Sequence, residues 1–375
     1  MWLKADGEDR CPETPGQVPS HVGLGYTRCA PLALLREDPV ERKRWLELRT
    51  RWLELLSRCR EPPRYAQAYR RWKESFQGPD TLCFIVRAES RILVGHGTSS
   101  ATGVGLTLHH TWGVPVLPGS ALKGLTAHYV QTVYGPDPDI EEPEREPFRG
   151  TTWELSRPSR VPGRVFRRLF GAPEVDEVSE KGSQGEVTFH DALWIPPEKG
   201  SGPMLARDVL TVHQRGYYES GGGEWPVDFD DPNPVSFLTV APGNRFLVVL
   251  EARGERVLLE RAGRYVGEAL ESWGLGGKTA TGYGRLVPET PGLQPGKSLE
   301  TPAVMELKTW LEEQKARTVG QRQQFQQVEQ QWVNRLLALT EPERLEAARL
   351  LKKYLNLKRP EEQQRLEELL TRLRA

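Results

Sequence analysis

The residues of this chain best suited to chemistry lie in a glycine-rich segment, GLGGKTATGYGRL, at positions 274–286. Glycine permits positive φ and close approach to another chain, and consecutive backbone N–H groups can form a concave anion site. Lys278 and Arg285 add positive charge, and Tyr283 adds a ring on which a base can stack. The segment therefore predicts a site for a phosphate backbone that carries bases. The glycines that we expect to shape this site are Gly276, Gly277 and Gly282.

Two other interpretations of the glycine-rich segment are possible. Gly277-Lys278-Thr279 resembles the end of a nucleotide-triphosphate loop, but that motif needs a glycine where this chain has Ser272. The motif also lies between a strand and a following helix, whereas residues 257–273 have a helical pattern and residues 283–287 an extended one. A triphosphate loop is therefore disfavoured. A plain glycine cap at the end of the preceding helix, followed by a tight turn, stays open.

A second segment, VPVLPGSALKGL at positions 114–125, has the pattern of a strand, a turn and the start of a helix. Ser120 is predicted to be the N-cap, and apolar residues follow it at helical spacing. A helix N-terminus presents free N–H groups and the positive end of the helix dipole, so it can hold a phosphate. Lys123 would supply a full charge there. The alternative is a capped helix whose lysine is merely solvated.

Together the two segments resemble the paired signatures of one family. The element Pro-Gly-Ser-x-Leu-Lys-Gly at 118–124 and the glycine-rich loop at 274–284 are similar to those of the RAMP superfamily. Its members are RNA-binding subunits of CRISPR effector complexes. Phe170-Gly171 followed by GEVTFHDA at 185–192 resembles the central segment of the backbone-forming members.

Further segments narrow the resemblance to the sixth-subunit family of type III-B (Cmr) complexes. These are DVLTVH at 208–213, Tyr217-Tyr218 and DPNPVSFLTV at 231–240. The resemblance spans roughly residues 20–290. It implies a non-catalytic structural subunit that holds the guide RNA near its 3′ part and caps the backbone filament. It also implies contacts with other RAMP backbone subunits and helical small subunits, indirect contact with target RNA, and no cofactor. The residues predicted to bind RNA are Ser120, Lys123, Gly276, Gly277, Lys278, Gly282, Tyr283 and Arg285.

The elements that must position these residues predict an α+β fold. Strands and helices alternate over residues 81–290, which suits a ferredoxin-like sheet, and the resemblance implies the same RNA-recognition-type RAMP fold. The predicted strands are Leu82–Ala88, Ile92–Val94, Val187–Ile195, Val235–Val240, Arg245–Ala252 and 283–287. Ala241-Pro242-Gly243-Asn244 is predicted to be the turn of a hairpin. The predicted helices are 120–134 and 257–273, and residues 135–163 are predicted to be a Pro-rich acidic loop.

The segments outside this alternation complete the predicted domain organisation. Residues 1–20 are predicted to be a flexible leader, and a first strand is predicted near Val22–Cys29, within a RAMP domain of 21–295. Residues 40–76 have the periodicity of two amphipathic helices, an insertion whose basic outer face is either solvated or in contact with RNA. Residues 300–375 are almost free of glycine and predict an all-α extension, a helical bundle that we expect to serve assembly.

Composition limits the function further. The 375 residues carry 51 Lys and Arg against 51 Asp and Glu, so an RNA site must be a local patch rather than a global field. The four cysteines form no CxxC pair, which argues against a zinc ribbon and fits reduced thiols in the cytoplasm. No apolar run is long enough to span a membrane, and no signal peptide is evident. We therefore expect no membrane contact.

Catalysis is the alternative to a binding role. Some RAMP proteins cut precursor guide RNA without a metal, using a histidine, and His109 and His110 directly precede the Pro-Gly-Ser element. A histidine more often makes a structural hydrogen bond, because catalysis needs a geometric partner and a tuned pKa. The other histidines of the RAMP region are His96, His128, His190 and His213. Carboxylates that can hold a divalent cation are Asp191, Asp208, Asp228, Asp230 and Asp231.

Overall fold

The computed structural model divides the chain into two compact units, residues 1–294 and 295–375. The residues that it describes are 21–28, 30, 34, 42–98, 104–136, 143, 145–155, 157–175, 181–197, 202–212, 215–225, 233–289, 302–316, 320–339, 341–355, 357 and 359–374. The predicted leader at 1–20, together with Cys11 and Cys29, lies outside them. No helix among them is both long and apolar enough to cross a membrane.

The first unit contains seven α-helices and twelve strands in its described part. The helices are α1 Val22–Thr27, α2 Arg42–Ser57, α3 Tyr65–Glu74, α4 Gly119–Tyr134, α5 Arg164–Phe170, α6 Arg215–Glu219 and α7 Arg256–Ser272. The strands are β1 Thr81–Ala88, β2 Val116–Leu117, β3 Thr152–Glu154, β4 Arg157–Arg160, β5 Gly171–Ala172, β6 Ser183–Gln184, β7 Thr188–Phe189, β8 Ala192–Trp194, β9 Leu205–Val212, β10 Asn233–Val240, β11 Arg245–Glu251 and β12 Leu286–Pro288.

The central sheet confirms the predicted α+β, ferredoxin-like class. Its strand order is β12-β1-β11-β8-β2, with β7 also paired to β11, and all of its ladders are antiparallel. The strands β1, β8, β11 and β12, with α4 after the first and α7 after the third, form the β-α-β-β-α-β unit of a ferredoxin-like fold. The last strand of this unit lies beside the first, and the third lies between the first and the second.

The two faces of this sheet are covered differently. Phe84, Val86 and Ala88 on β1 are each at most 1% exposed, and α7 packs against β1, β11 and α4. Neighbouring side chains of β1 alternate to the other face, where α3 ends. There the Cys83 thiol lies 3.9 Å from the Phe76 carbonyl oxygen, and the Phe76 ring packs edge-on against His190 with centroids 4.8 Å apart. No strand of this sheet carries an exposed aromatic side chain in the described part of the chain.

The predicted helical insertion is present, but the predicted first strand is wrong. α2 and α3 fall within residues 40–76, separated near Pro62-Pro63. The segment predicted as a strand near 22–29 is instead the short helix α1. His21 caps it, because its Nδ1 accepts the Leu24 N–H at 3.1 Å, and Tyr26 is fully buried. A local cap and burial of one side chain therefore outweigh the β-propensity of the sequence.

The predicted hairpin at 241–244 is also wrong. β10 and β11 are both present, but β10 pairs with β9 in a separate two-stranded sheet, and β11 pairs with β1, β7 and β8. The turn instead passes the chain from one sheet to the other. The Gly243 N–H donates to the Ala88 carbonyl, and the Asn244 side chain bonds the carbonyls of Ala241 and Pro203.

Three other boundaries differ from the prediction. The strand predicted over 187–195 breaks at His190-Asp191 into β7 and β8. The segment 92–94 makes only isolated bridges, from Ile92 to Val240 and from Leu93 to Gly276. The predicted loop at 135–163 contains the hairpin of β3 and β4, although most of its acidic run lies outside the described residues.

The second unit is helical, as the sequence predicts. It contains α8 Pro302–Ala316, α9 Gln321–Gln327, a π-helical turn Val328–Trp332, α10 Val333–Leu337, α11 Glu341–Tyr354 and α12 Pro360–Arg374. Gly320 is the N-cap of α9, which accounts for the predicted break, whereas Thr340 of the predicted capping box lies outside the described residues. The unit has its own core, which includes Leu311, Phe325, Trp332, Leu351 and Leu370.

Candidate nucleic-acid interface

The start of α4 is built by a contact from a distant part of the chain. The helix begins at Gly119, directly after Pro118, so Ser120 lies inside it and the predicted N-cap role of Ser120 is wrong. The Gly119 N–H donates instead to Asp191 Oδ1 at 2.7 Å. A carboxylate at this position is favoured by the helix dipole. Asp191 therefore takes the first N–H group of α4 and leaves the exposed Ser120 hydroxyl without a capping task.

Gly124 is a second feature of α4. It lies within the second turn of the helix and is exposed, and a Cβ added to it would meet no atom within 4 Å. Glycine in a helix interior costs about 1 kcal/mol relative to alanine. No packing within the described residues explains this cost. The residue is adjacent to Lys123, which is half-buried on the same helix.

The glycine-rich loop is anchored to the segment that follows β1. Gly276 has φ +99°, and a Cβ added there would lie 2.5 Å from the Leu93 carbonyl oxygen, so a side chain would push the loop away. The Gly277 N–H donates to that same carbonyl at 2.8 Å. Lys278 adopts the left-handed conformation, with φ 62°, and a single 3₁₀ turn, Thr279–Thr281, follows it. The loop is therefore a fixed structure rather than a loose tether.

Most backbone N–H groups of the glycine-rich loop have an acceptor within the protein. Those of Leu275, Thr281, Gly282 and Tyr283 bond carbonyls of the loop itself, and those of Gly274, Gly277, Gly284 and Arg285 bond residues outside it. The predicted row of free N–H groups is therefore wrong for these positions. The N–H groups of Lys278, Thr279 and Ala280 have no acceptor in the described part of the chain.

Tyr283 and Arg285 are held by partners within the protein. The Tyr283 hydroxyl donates to Asp208 Oδ2 at 2.6 Å, and Arg91 Nε lies 3.2 Å from the same oxygen. Burial, and then the hydrogen bond to Asp208, raise the pKa of Tyr283 to about 12. Arg285 Nε lies 3.8 Å from a Glu89 carboxylate oxygen. Tyr283 thus joins the loop to β9, which weakens its interpretation as a free stacking platform.

A groove of about 590 Å³ separates α4 from the glycine-rich loop. One wall comes from α4 and the other from the end of α7 and the loop. The lining residues are Ala121, Leu125, His128, Trp273, Gly274, Leu275, Gly276, Thr279 and Ala280. The Trp273 ring packs edge-on against His128, with ring centroids 5.0 Å apart, and against Tyr129 at 5.2 Å. The fold thus brings the two sequence signatures to opposite walls of one groove.

The residues predicted from the sequence to bind RNA differ in how close they lie to this groove. Gly276 lines it, whereas Ser120 and Lys123 lie on the helix that forms one wall, and Lys278 lies within the loop that forms the other. The residues predicted to bind RNA do not include Gly124, Trp273 or His128, although His128 was considered as a catalytic histidine. Trp273 had a signal, an aromatic residue directly before the glycines, but the role of Asp191 had no local signal because it lies 72 residues from Gly119.

The histidines of the described region are mostly held in structural contacts. His109 Nδ1 accepts the Thr111 N–H at 3.2 Å, and burial lowers the pKa of His109 against the opposing effect of Asp191. His190 contacts the Glu251 carboxylate. His213, Asp228, Asp230 and Asp231 lie outside the described residues. Within the described ranges, no group of three or more His, Cys, Asp or Glu side chains could hold a metal ion.

Comparison with known protein sequences identifies the family of this chain. A sequence model described as the RAMP superfamily matches residues 85–287. The CRISPR system Cmr subunit Cmr6 of Pyrococcus furiosus is 34% identical over 249 residues, which cover 60% of this chain and 72% of the relative.

Three solved structures are similar over part of the chain. A chain in the cryo-EM structure of the type III-B Cmr-beta complex bound to cognate target RNA gives a TM-score of 0.46 at 18% identity, covering 68% of this chain and 76% of the other. The crystal structure of Cmr6 from Pyrococcus furiosus gives 0.33 at 31% identity, with coverages of 55% and 97%. A chain of a type IV-B CRISPR complex gives 0.34 at 16% identity, with coverages of 60% and 96%.

The superfamily match spans more than half of the chain, and the match to the Pyrococcus furiosus relative spans more than two thirds of that relative. The chain therefore belongs to the RAMP superfamily and, within it, to the Cmr6 family of type III-B CRISPR effector subunits.

Proposed function

We propose that this chain is a non-catalytic, RNA-binding structural subunit of a type III-B CRISPR ribonucleoprotein. It holds the guide RNA near its 3′ part, in the groove between α4 and the glycine-rich loop. The observation that carries the proposal is the groove itself, because it joins two sequence signatures that lie about 150 residues apart along the chain. Gly124 supports it, since an exposed helix glycine with no neighbour leaves room for a ligand to approach closely.

The chemistry of the groove suits a single RNA strand. Lys123 belongs to the helix that forms one wall and Lys278 to the loop that forms the other. Neither is among the lining residues, so we assign both to phosphates outside the floor of the groove, with the exposed Ser120 hydroxyl as a further donor. Trp273 and His128 offer ring surface for a base, and stacking of this kind is tolerant of sequence. Phosphate contacts fix the position of an RNA without reading its bases. The subunit therefore holds a guide of any spacer sequence.

The partners follow from the same family. We infer that the chain contacts other RAMP backbone subunits and helical small subunits, caps the filament that they form, and meets target RNA only through the guide. The Cmr-beta structure that resembles this chain was determined with cognate target RNA bound. We place the complex in the cytoplasm, where its RNA partners are made.

The test is to incubate the purified protein with labelled precursor guide RNA, with and without EDTA, and to score cleavage and retention at low salt together. The proposal predicts retention without cleavage. Site-specific cleavage that survives EDTA would overturn it in favour of a metal-independent endoribonuclease. His109→Ala and His110→Ala would then abolish cleavage and spare binding.

Two lysine variants test the phosphate contacts. Lys123→Ala and Lys278→Ala should each weaken binding to RNAs of every sequence alike, because phosphates carry no sequence information. Each should also reduce the magnitude of the salt dependence, the slope of log K against log salt concentration, by about 0.7. The exposed Lys181, which lies outside both walls of the groove, provides the matched control Lys181→Ala. An equal loss in the control would contradict the assignment.

A further inference from the structure

The helical insertion presents a group of exposed cations that the groove does not use. Over residues 58–73 six cations are exposed, and only Glu61 and Glu74 supply carboxylates within 58–74. The cations, which we call the α3 basic surface, are Arg58, Arg60, Arg64, Arg70, Arg71 and Lys73. None of them has an ion pair in the part of the chain that the structure describes. In a chain of zero net charge this is a local excess.

Other arginines of the first unit behave differently. Arg91 lies 3.2 Å from Asp208, Arg245 lies 2.7 Å from Glu289, and Arg207 lies 3.3 Å from Glu54. Glu54 belongs to α2, so one carboxylate of the insertion is already paired with an arginine of β9. Carboxylates thus pair with many arginines of this fold, whereas no carboxylate pairs with the α3 basic surface in the described part of the chain. A partner that supplies the negative charge is the simplest complement to such a surface.

The surface is displayed on a rigid support. The opposite side of α3 is aromatic: Tyr65 is fully buried, its hydroxyl donates to the Trp194 carbonyl, and Phe76 packs against His190. Arg64 and Arg71 are seven residues apart, two helical turns, and so lie on the same stripe about 10 Å apart. The anchored aromatic side fixes the orientation of the cationic side.

We propose that the α3 basic surface binds the phosphate backbone of an RNA duplex. Five of its six cations are arginine, whose planar fork suits phosphate better than an ammonium group does. Its aromatic neighbours in the described part of the chain are buried or half-buried on the other side of α3, so it offers no exposed aromatic ring to an unpaired base. A duplex carries about twice the charge of a single strand per unit length, which favours it over a single strand at a surface that contacts phosphates alone.

The surface is separate from the groove, and only the choice of RNA as the polyanion rests on the proposed function. The two proposals can therefore fail independently. A single strand reports on the groove, because bases can enter it, and a duplex reports on the α3 basic surface, because its bases are already paired.

The test compares a 20-base-pair RNA duplex with one of its strands, using the full-length protein at 50 mM salt. The variant Arg64→Gln/Arg71→Gln removes two cations of the surface, and Arg359→Gln/Arg372→Gln removes two exposed cations of the C-terminal unit as a matched control. Each lost phosphate contact should weaken duplex binding roughly 10- to 15-fold at this salt concentration, since counterion release contributes about 0.9 in log K per decade of salt and 50 mM lies about 1.3 decades below 1 M. The control should bind the duplex as the parent does.

Each possible result decides the proposal. Loss of duplex affinity with unchanged single-strand affinity supports it. Unchanged duplex affinity overturns it and leaves the groove assignment intact, and equal losses in surface and control variants also overturn it. If the surface variant loses affinity for both the duplex and the single strand, and its circular dichroism is identical to that of the parent, the two sites are not separate. A loss confined to Lys123→Ala and Lys278→Ala likewise assigns duplex binding to the groove.

Discussion

Gly124→Ala should make the protein more stable and, at the same time, a weaker binder of RNA. The residue lies inside α4, and an added Cβ meets nothing within 4 Å, so the methyl group causes no clash in the free protein. Alanine is better than glycine in a helix interior by about 0.8–1.0 kcal/mol. For a unit of this size the gain corresponds to a rise in melting temperature of about 2 °C.

The RNA affinity should change in the opposite direction. If the guide passes against α4 beside Lys123, the new methyl group occupies space that the RNA backbone uses. A forced contact of this size costs about 1–3 kcal/mol, which is roughly fivefold to 150-fold in affinity. The assay pairs denaturant unfolding with filter binding to single-stranded guide RNA. Gly78→Ala is the control, since its added Cβ also meets nothing and the residue lies outside α4 and the loop.

Either half of the result can refute the reasoning. A variant that is less stable than the parent would show that Gly124 has a role inside the fold. A variant that is more stable but binds RNA with unchanged affinity would show that no ligand approaches α4 at this point. The same loss of affinity in Gly78→Ala would assign the effect to something other than the groove.

Three further predictions concern stability, two at the site and one in the C-terminal unit. Asp191→Ala should lower the free energy of unfolding by about 1–2 kcal/mol, because it leaves the buried Gly119 N–H without its acceptor. Denaturant titration measures this loss, with Asp191→Asn as the control. The pKa of Tyr283 is raised from 10.0 to about 12, so its hydroxyl stabilises the fold below pH 10 and loses that effect as the pH rises to 12. Tyr283→Phe should therefore be less stable than the parent at pH 8 and lose less stability between pH 10 and 12, and an unchanged pH profile would contradict this. Residues 295–375 expressed alone should fold into a cooperative helical unit, because they have their own core, and circular dichroism on heating tests this.

The C-terminal unit also allows a test of assembly. We propose that it is a docking surface for other subunits, since it lies beyond the matched residues 85–287. Deletion of 295–375 should leave RNA binding by the first unit intact and reduce incorporation into the effector complex. Co-purification with the other subunits measures incorporation. Unchanged assembly and RNA loading would refute the docking role.

Much of the fold was predictable because its signals are local. The helices α2, α3, α4 and α7 each have an apolar stripe at helical spacing, and the helical character of the C-terminal unit follows from its lack of glycine. The strand β1 was predictable from another local signal, a short run of mostly apolar residues. These elements were sufficient to indicate the class of sheet, although the sequence does not state which strands pair.

The errors have a common physical cause, which is that contacts distant in sequence decide the outcome. Asp191, not Ser120, caps α4, because the fold brings β8 beside its start. Asn244 lies where a hairpin turn is predicted, but its side chain bonds residues 203 and 241 and helps pass the chain to another sheet. Tyr283 has a distant partner too, because its hydroxyl donates to Asp208 on β9, while its contact with RNA stays a prediction. In each case a polar side chain found a partner that no local pattern reveals.

The central claim is that RNA lies between α4 and the glycine-rich loop, and cross-linking tests it most directly. Guide RNA that carries 4-thiouridine would be bound to the full-length protein, irradiated, and the attached peptides identified by mass spectrometry. The account predicts cross-links in residues 119–134 and 273–285, with Trp273 and His128 among the attached residues. Cross-links confined to other segments, with none in these two, would contradict it.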